Sequence, residues 1–168
     1  LNPLHALFPS NPAHFSPYSP STRHFLIVLY IDVESLPEFE ECPDARRVVE
    51  AVAFQSELER LRSTASVDYA GVARAKLPVL AMLFEHFRRE HLERGSARAE
   101  AFRAFERERG EPLRLHALHD AIDAHMRRED PQRYWGWPAW PPQLRDPGNP
   151  GVREFEAGHA ESVQLHAW

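Results

Sequence analysis

The chain has 168 residues, 20 Lys plus Arg against 25 Asp plus Glu, a formal net charge of −5, and 15 prolines. That length can bury one ordinary core but falls short of a complete (β/α)8 barrel, which takes about 200 residues or more. The acidic balance excludes a general grip on nucleic acid phosphates, no apolar run reaches the roughly 18 residues of a membrane span, and the single Cys42 excludes an internal disulfide framework.

The prolines crowd at two places: Pro3, Pro9, Pro12, Pro17 and Pro20 near the start, and six more from Pro131 to Pro150. Proline donates no backbone hydrogen bond and disfavours helix for its predecessor. Residues 1–25 are therefore predicted as an ordered loop with a helical turn near Leu4. Residues 25–31 (Phe-Leu-Ile-Val-Leu-Tyr-Ile) form the one β-branched, aromatic run that reads as a strand or buried extended segment. Its pairing neighbour is expected outside the chain.

From Pro43 the pattern turns helical, with Val48, Val49, Val52, Leu58 and Leu61 at helical spacing. Asp68 is the predicted N-cap of the longest helix, about residues 69–94, whose stripe is Leu77, Leu80, Phe84, Phe87 and His91. Pro78 should kink it or mark its first turn, and Gly95 should end it. Ser96 caps a helix carrying Phe102 and Phe105 that stops at Gly110, and Pro112 opens another with Leu115, Leu118, Ile122 and Met126 on one face. Residues 131–150 hold Tyr134, Trp135, Trp137 and Trp140, too much apolar area for a free linker. A last helical stripe follows: Val152, Phe155, His159, Val163 and His166. The fold class is mainly α with at most one short strand. The chain opens on Leu1 rather than Met, and the helical pattern still runs at Trp168. Two proline-rich loops around a helical middle read as an insertion cut from a larger protein.

Few residues single themselves out chemically. The ten histidines invite a metal. His116 and His119 at i, i+3, and His119 with Asp123 at i, i+4, can share a helix face, yet zinc needs three or four converging ligands and no His-Glu-x-x-His pattern is present. Metal: none is the reading, and His159 and His166 are read as core histidines with hydrogen-bond partners. Cys42 follows Glu40 and Glu41, the wrong neighbours for a nucleophilic thiol. The carboxylates interleave with arginine on solvated helix faces, and none forms a recognisable catalytic pair. Of the 20 basic residues only Lys76 is Lys, which together with abundant Ala and Pro points to a GC-rich genome. The tryptophan-rich loop can be a sugar platform or, as favoured here, a hydrophobic clasp. The Ser-Pro-Tyr stretch at Ser16, Pro17 and Tyr18 holds one aromatic between two prolines, a preorganised contact.

Several blocks carry a resemblance: Leu-Asn-Pro-Leu-His-Ala-Leu-Phe-Pro-Ser-Asn-Pro at 1–12, Ser-Pro-Tyr-Ser-Pro-Ser-Thr-Arg at 16–23, Leu-Tyr-Ile-Asp-Val-Glu at 29–34, Val-Asp-Tyr-Ala-Gly-Val at 67–72, Lys-Leu-Pro-Val-Leu at 76–80, and Trp-Pro-Ala-Trp-Pro-Pro-Gln-Leu-Arg at 137–145. In this colinear order the chain resembles the amylomaltase family of 4-alpha-glucanotransferases, of the bacterial maltodextrin-utilisation type. The resemblance implies the helical insertion subdomain of a (β/α)8-barrel transferase. Residues 1–40 would belong to the loop-rich catalytic region, 41–130 to the helical subdomain, and 131–168 to the Trp/Pro-rich loop and a last helix. It implies a retaining transfer of alpha-1,4-glucan segments through a covalent glucosyl-enzyme, with an Asp nucleophile and a Glu acid/base. No motif carrying those carboxylates is found here, so no catalytic residue is assigned and the chain alone is expected to be inactive. Tyr18 is the expected substrate contact, stacked on a glucose ring, with Ser16 second. Family members commonly carry Asn before the Tyr-Ile-Asp-Val stretch, where this chain has Leu26, Ile27, Val28 and Leu29. The implied setting is cytoplasmic. The partners are a maltooligosaccharide and the rest of the barrel, with no cofactor, nucleic acid or membrane, and self-association would cover exposed apolar patches. The alternatives are a stand-alone helical adaptor contacting through the tryptophan loop, and a metal-binding helical protein.

Overall fold

The computed structural model describes residues 4–168, so Leu1, Asn2 and Pro3 of the first quoted block lie outside the described residues. The chain divides into two compact units, residues 1–101 and 102–168.

In the first unit, β1 (His5–Ala6) and β2 (Thr22–Leu26) pair antiparallel, with His5 opposite Leu26 and Ala6 opposite Thr22 across an irregularity. The chain between them is a long proline-rich loop. Ser21 closes it: its amide donates to the Ala6 carbonyl at 2.9 Å, and its hydroxyl reaches the carbonyls of Ala6 at 3.1 Å and Leu7 at 2.9 Å. The extended run thus starts earlier than the hydrophobic pattern places it, and its partner is the chain's own first segment. Beyond Leu26 the backbone turns: Val28–Tyr30 and Val33–Ser35 are single 3-10 turns. The reason lies in packing. Ile27 and Leu29 are buried against Ala73, with Val72 and Leu77 alongside, so the apolar run folds onto a helix instead of extending a sheet.

Proline sets the next starts. α1 (Pro37–Glu41) and α2 (Pro43–Glu50) each begin with proline in the first turn, where its missing N–H costs nothing. The valine pattern does not continue as one helix. Ala51 is extended, α3 (Val52–Arg62) starts afresh, and Gln55 Nε2 donates to the freed Val49 carbonyl at 2.7 Å. Val49 is consequently buried while Val48 and Val52 are exposed.

α4 (Tyr69–Phe87) follows the predicted cap: the Asp68 side chain accepts from the Gly71 amide at 2.8 Å. A side chain at Gly71 would meet Asp68 and Leu61 at 2.5 Å each, so the cap and the α3–α4 contact both need glycine there. Pro78 lies inside the helix at an exposed position and leaves one carbonyl of the preceding turn without its amide donor. Val79, Leu80, Leu83, Phe84 and Phe87 form the buried face. A π turn (Arg88–Leu92) widens the end before Gly95, whose φ of 65° is the left-handed stop expected of glycine.

Ser96 then accepts from the Ala99 amide at 3.3 Å and opens α5 (Ala97–Glu129), which bends at Gly110 with φ 55° and ψ −140°. That break matches the predicted stop at Gly110 and restart at Pro112.

The core of the second unit is Ala117, Leu118, Ala121, Ile122 and Met126 of α5, Trp140 of the following loop, Val152 and Phe155 of α6 (Pro150–Gly158) and Val163 of α7 (Ala160–Ala167). Asn149 caps α6 by accepting from the Gly151 amide at 2.9 Å. The last stripe is split in two, because the backbone leaves helical geometry at His159 (φ −128°, ψ 30°). The architecture is mainly α with one small two-stranded ribbon among the described residues. Among those residues no helix is long and apolar enough to cross a membrane.

Candidate functional site

The most exposed large aromatic of the first unit is Tyr18, at 77%. It sits at the tip of the loop between β1 and β2. The Ser19 amide donates to the Ser16 carbonyl at 3.1 Å, closing a β-turn with Pro17 and Tyr18 at its centre. Proline is suited to the first central position because its φ is already set. Ser16, at the base of that turn, and Pro17 are half-buried. Two further turns stiffen the loop: Asn11 N–H donates to Phe8 C=O and His14 N–H to Asn11 C=O, both at 2.9 Å, with the Phe8 and His14 rings stacked at 4.8 Å.

The residue before the turn anchors it. The Phe15 ring stacks on Tyr69 at 5.1 Å with 6° between planes. The Tyr69 phenol lies beside the Tyr30 phenol, and this neighbour, with partial burial, raises Tyr69 above the usual tyrosine range. The peptide groups flanking Tyr30 are clamped in turn by Lys76, whose Nζ donates to the carbonyls of Leu29 and Ile31 at 2.7 Å each. Burial lowers the proton affinity of Lys76, and Asp32 partly opposes this. Sequence reading singled out Tyr18 but not these neighbours. Lys76 carried one signal, its being the sole lysine among 20 basic residues.

The tryptophan loop behaves differently. Trp140 is 3% exposed in the second core, with Tyr134 and Leu144 packed on the same cluster, whereas Trp135 is 62% and Trp137 54% exposed. The histidines considered for metal are engaged otherwise. His119 Nδ1 lies 2.9 Å from Asp120 Oδ1 and His116 Nε2 3.8 Å from Asp120 Oδ2, while Asp123 accepts from Arg127 Nε at 2.9 Å. Among the described residues no group of three or more His, Cys, Asp or Glu could hold a metal ion. His159 Nδ1 meets the Phe155 carbonyl at 3.0 Å and its ring stacks on Phe155 at 4.1 Å, a half-buried structural histidine. Burial lowers His166, with Asp120 opposing. Cys42 is buried at the junction of α1 and α2.

Glu38 is a charged group that sequence reading missed. It is fully buried, and its Oε1 accepts from Arg98 Nε at 2.7 Å while the guanidinium lies 5.7 Å from the Phe87 ring centre. This pair holds α1 to the start of α5 within the first unit. It is far from an exposed cleft acid, and its partner is a structural arginine.

A family model described as 4-alpha-glucanotransferase matches residues 1–168. The chain belongs to the 4-alpha-glucanotransferase family. A 4-alpha-glucanotransferase of Haemophilus influenzae is 31% identical over 170 residues, covering 100% of this chain and 24% of that protein. One from Mycobacterium tuberculosis is 31% identical over 175 residues, covering 100% of this chain and 22% of that protein. The chain therefore spans less than a quarter of the length of these glucanotransferases.

Proposed function

We propose that this chain forms part of a cytoplasmic 4-alpha-glucanotransferase that moves alpha-1,4-glucan segments between maltooligosaccharides. The transfer proceeds with retention through a covalent glucosyl-enzyme. The paired carboxylates that such chemistry needs, about 5 Å apart across the scissile bond, come from residues outside this chain. The chain contributes part of the cleft rim. Tyr18 stacks on a glucose ring and Ser16 supports the contact from the base of the turn.

The observation that carries the reading is the turn at Ser16–Ser19 itself, in a chain of this family. An aromatic held 77% open at the tip of a proline-set turn costs little further entropy when it meets a ligand. A tyrosine that served the core would be buried instead.

The test uses the full-length transferase with maltotriose. Glucose and longer dextrins should appear with the intact protein and not with the isolated 168-residue chain. Tyr18→Ala should lower transfer by roughly a hundredfold, the scale of a misplaced reacting bond, with thermal stability unchanged. Near-native turnover in that variant would remove Tyr18 from the site. Turnover by the isolated chain would overturn the division of labour.

A further inference from the structure

Resting on Tyr18 as a substrate contact, we propose that Lys76 is the positioning residue of that contact, acting through Tyr30, Tyr69 and Phe15. The chain of contacts is continuous. The Lys76 ammonium binds the carbonyls of Leu29 and Ile31, one on each side of Tyr30. Tyr30 is thereby fixed at its backbone with its phenol beside that of Tyr69, and Leu29 of the same turn belongs to the apolar cluster on which Tyr69 packs. Tyr69 presents its ring to Phe15 in a near-parallel stack. Phe15 is the residue immediately before the Ser16–Ser19 turn that carries Tyr18. Each link fixes the next, and the last is the substrate-facing ring.

The identity of Lys76 supports a fitted role. The chain uses Arg at 19 of its 20 basic positions, yet Lys stands here. A guanidinium is a planar fork matched to carboxylates, whereas an ammonium is a compact point donor. Two carbonyls of one tight turn need the second geometry. Partial burial lowers the lysine's proton affinity, and the two carbonyls hold the ammonium there. The clamp does not replace the turn's apolar anchoring, since Ile27 and Leu29 are already buried on α4. What the clamp adds is the orientation of the peptide planes around Tyr30.

The relay predicts coupling, which a merely structural lysine does not. In the full-length transferase, Lys76→Met should raise KM for maltotriose roughly three- to tenfold, the factor an unlocked side chain is worth, with kcat little changed. Tyr69→Phe removes only the phenol link and should give a KM shift in the same direction. The deciding measurement is the double variant. Lys76→Met combined with Tyr18→Ala should bind no worse than Tyr18→Ala alone, because the lysine's effect passes through that ring. Independent, multiplying effects would overturn the proposal, as would native KM in both Lys76→Met and Tyr69→Phe. Should Lys76→Met fail to fold, Tyr69→Phe with and without Tyr18→Ala carries the same cycle. Native transfer in Tyr18→Ala would sink the Tyr18 contact and this inference with it. Full impairment in Tyr18→Ala beside an inert Lys76→Met would sink this inference alone.

Discussion

The two proline-rich loops have similar compositions and opposite constructions. The first, between β1 and β2, turns its key aromatic outward and is braced by polar and stacking contacts: Ser21 at its neck, Phe15 on Tyr69 and Lys76 behind Tyr30. The second drives Trp140 into an apolar core with Tyr134 packed beside it, and leaves Trp135 and Trp137 outside. Proline density therefore says that backbone is preset, not what it is preset for. The deciding variable is what lies beneath. A loop over a polar clamp can hold a ring open for a ligand, while a loop over an apolar helix face is drawn down by burial. Truncation should cost stability in the second loop and function in the first.

The largest expected effect on stability lies in the second loop. Trp140→Ala should cost about 3–5 kcal/mol, the range for emptying a large buried aromatic site. Trp135→Ala and Trp137→Ala should stay within about 0.5 kcal/mol, as exposed positions do. The indole Nε1 of Trp140 has no hydrogen-bond partner among the described residues, so Trp140→Phe should cost far less than Trp140→Ala. Urea unfolding followed by far-UV circular dichroism measures all four. Equal effects at positions 135, 137 and 140 would erase the contrast between the buried and exposed parts of the loop.

Arg98→Ala probes the polar style of the first unit. Glu38 is fully buried and would lose its cation, at a cost of about 3 kcal/mol, the low end for breaking a buried pair because Arg98 is itself partly exposed. Adding Glu38→Gln should recover part of the loss, since an uncharged amide tolerates burial better. If the double variant is no more stable than Arg98→Ala, the penalty comes from lost packing on Phe87 and not from the stranded charge.

Which of these features can be read from sequence follows from how local each one is. The caps at Asp68 and Ser96, the stop at Gly95, the bend at Gly110 and the restart at Pro112 are set by one to four neighbouring residues, and all were legible. The β1–β2 pairing was not, because it joins His5 to Leu26 across a whole loop and β1 is only two residues long. Glu38 sits in an acidic run with Glu34, Glu40 and Glu41, and a five-residue helix has too little periodicity to tell which one turns inward. Among the tryptophans, only packing separates Trp140 from its neighbours. That Tyr18 stands exposed on a stiff turn was legible because the turn is local. Lys76 was not, because its acceptors lie 47 and 45 residues away.

Acid should loosen the second unit first. Burial lowers the proton affinity of His116, against the pull of Asp120 and beside His119. It lowers His166, which faces Asp120, His116, Arg128 and His119, and His125, which faces His159, Arg128 and Glu129. An unfolded histidine titrates near 6.5, so below about pH 6.5 the unfolded chain takes up protons that the folded unit refuses. Stability is full above that pH and is lost as pH falls through the lower folded values. All four tryptophans belong to the second unit, so indole emission reports it alone. Its melting temperature should drop between about pH 6.5 and 5, and His116→Gln should flatten the slope. A flat profile above pH 5 would mean that these rings titrate alike in the folded and unfolded chain.

The smallest effect is the most local one. The Ser21 hydroxyl has one proton and two carbonyls within reach, Ala6 at 3.1 Å and Leu7 at 2.9 Å, so it makes one bond shared between two acceptors. Its backbone amide donates separately to Ala6 and survives any substitution other than proline. Ser21→Ala should therefore cost only about 1 kcal/mol, the net worth of one hydrogen bond, and Ser21→Thr should restore most of it. Because Ser21 closes the neck of the loop and does not touch the Phe15–Tyr69 stack, the loss should appear as faster amide exchange at Ile27, whose N–H crosses to the Leu4 carbonyl at 3.1 Å. Exchange at Ser19, inside the tip turn, should not change. Equal acceleration at both amides would mean that the neck, and not the aromatic brace, holds Tyr18 in place.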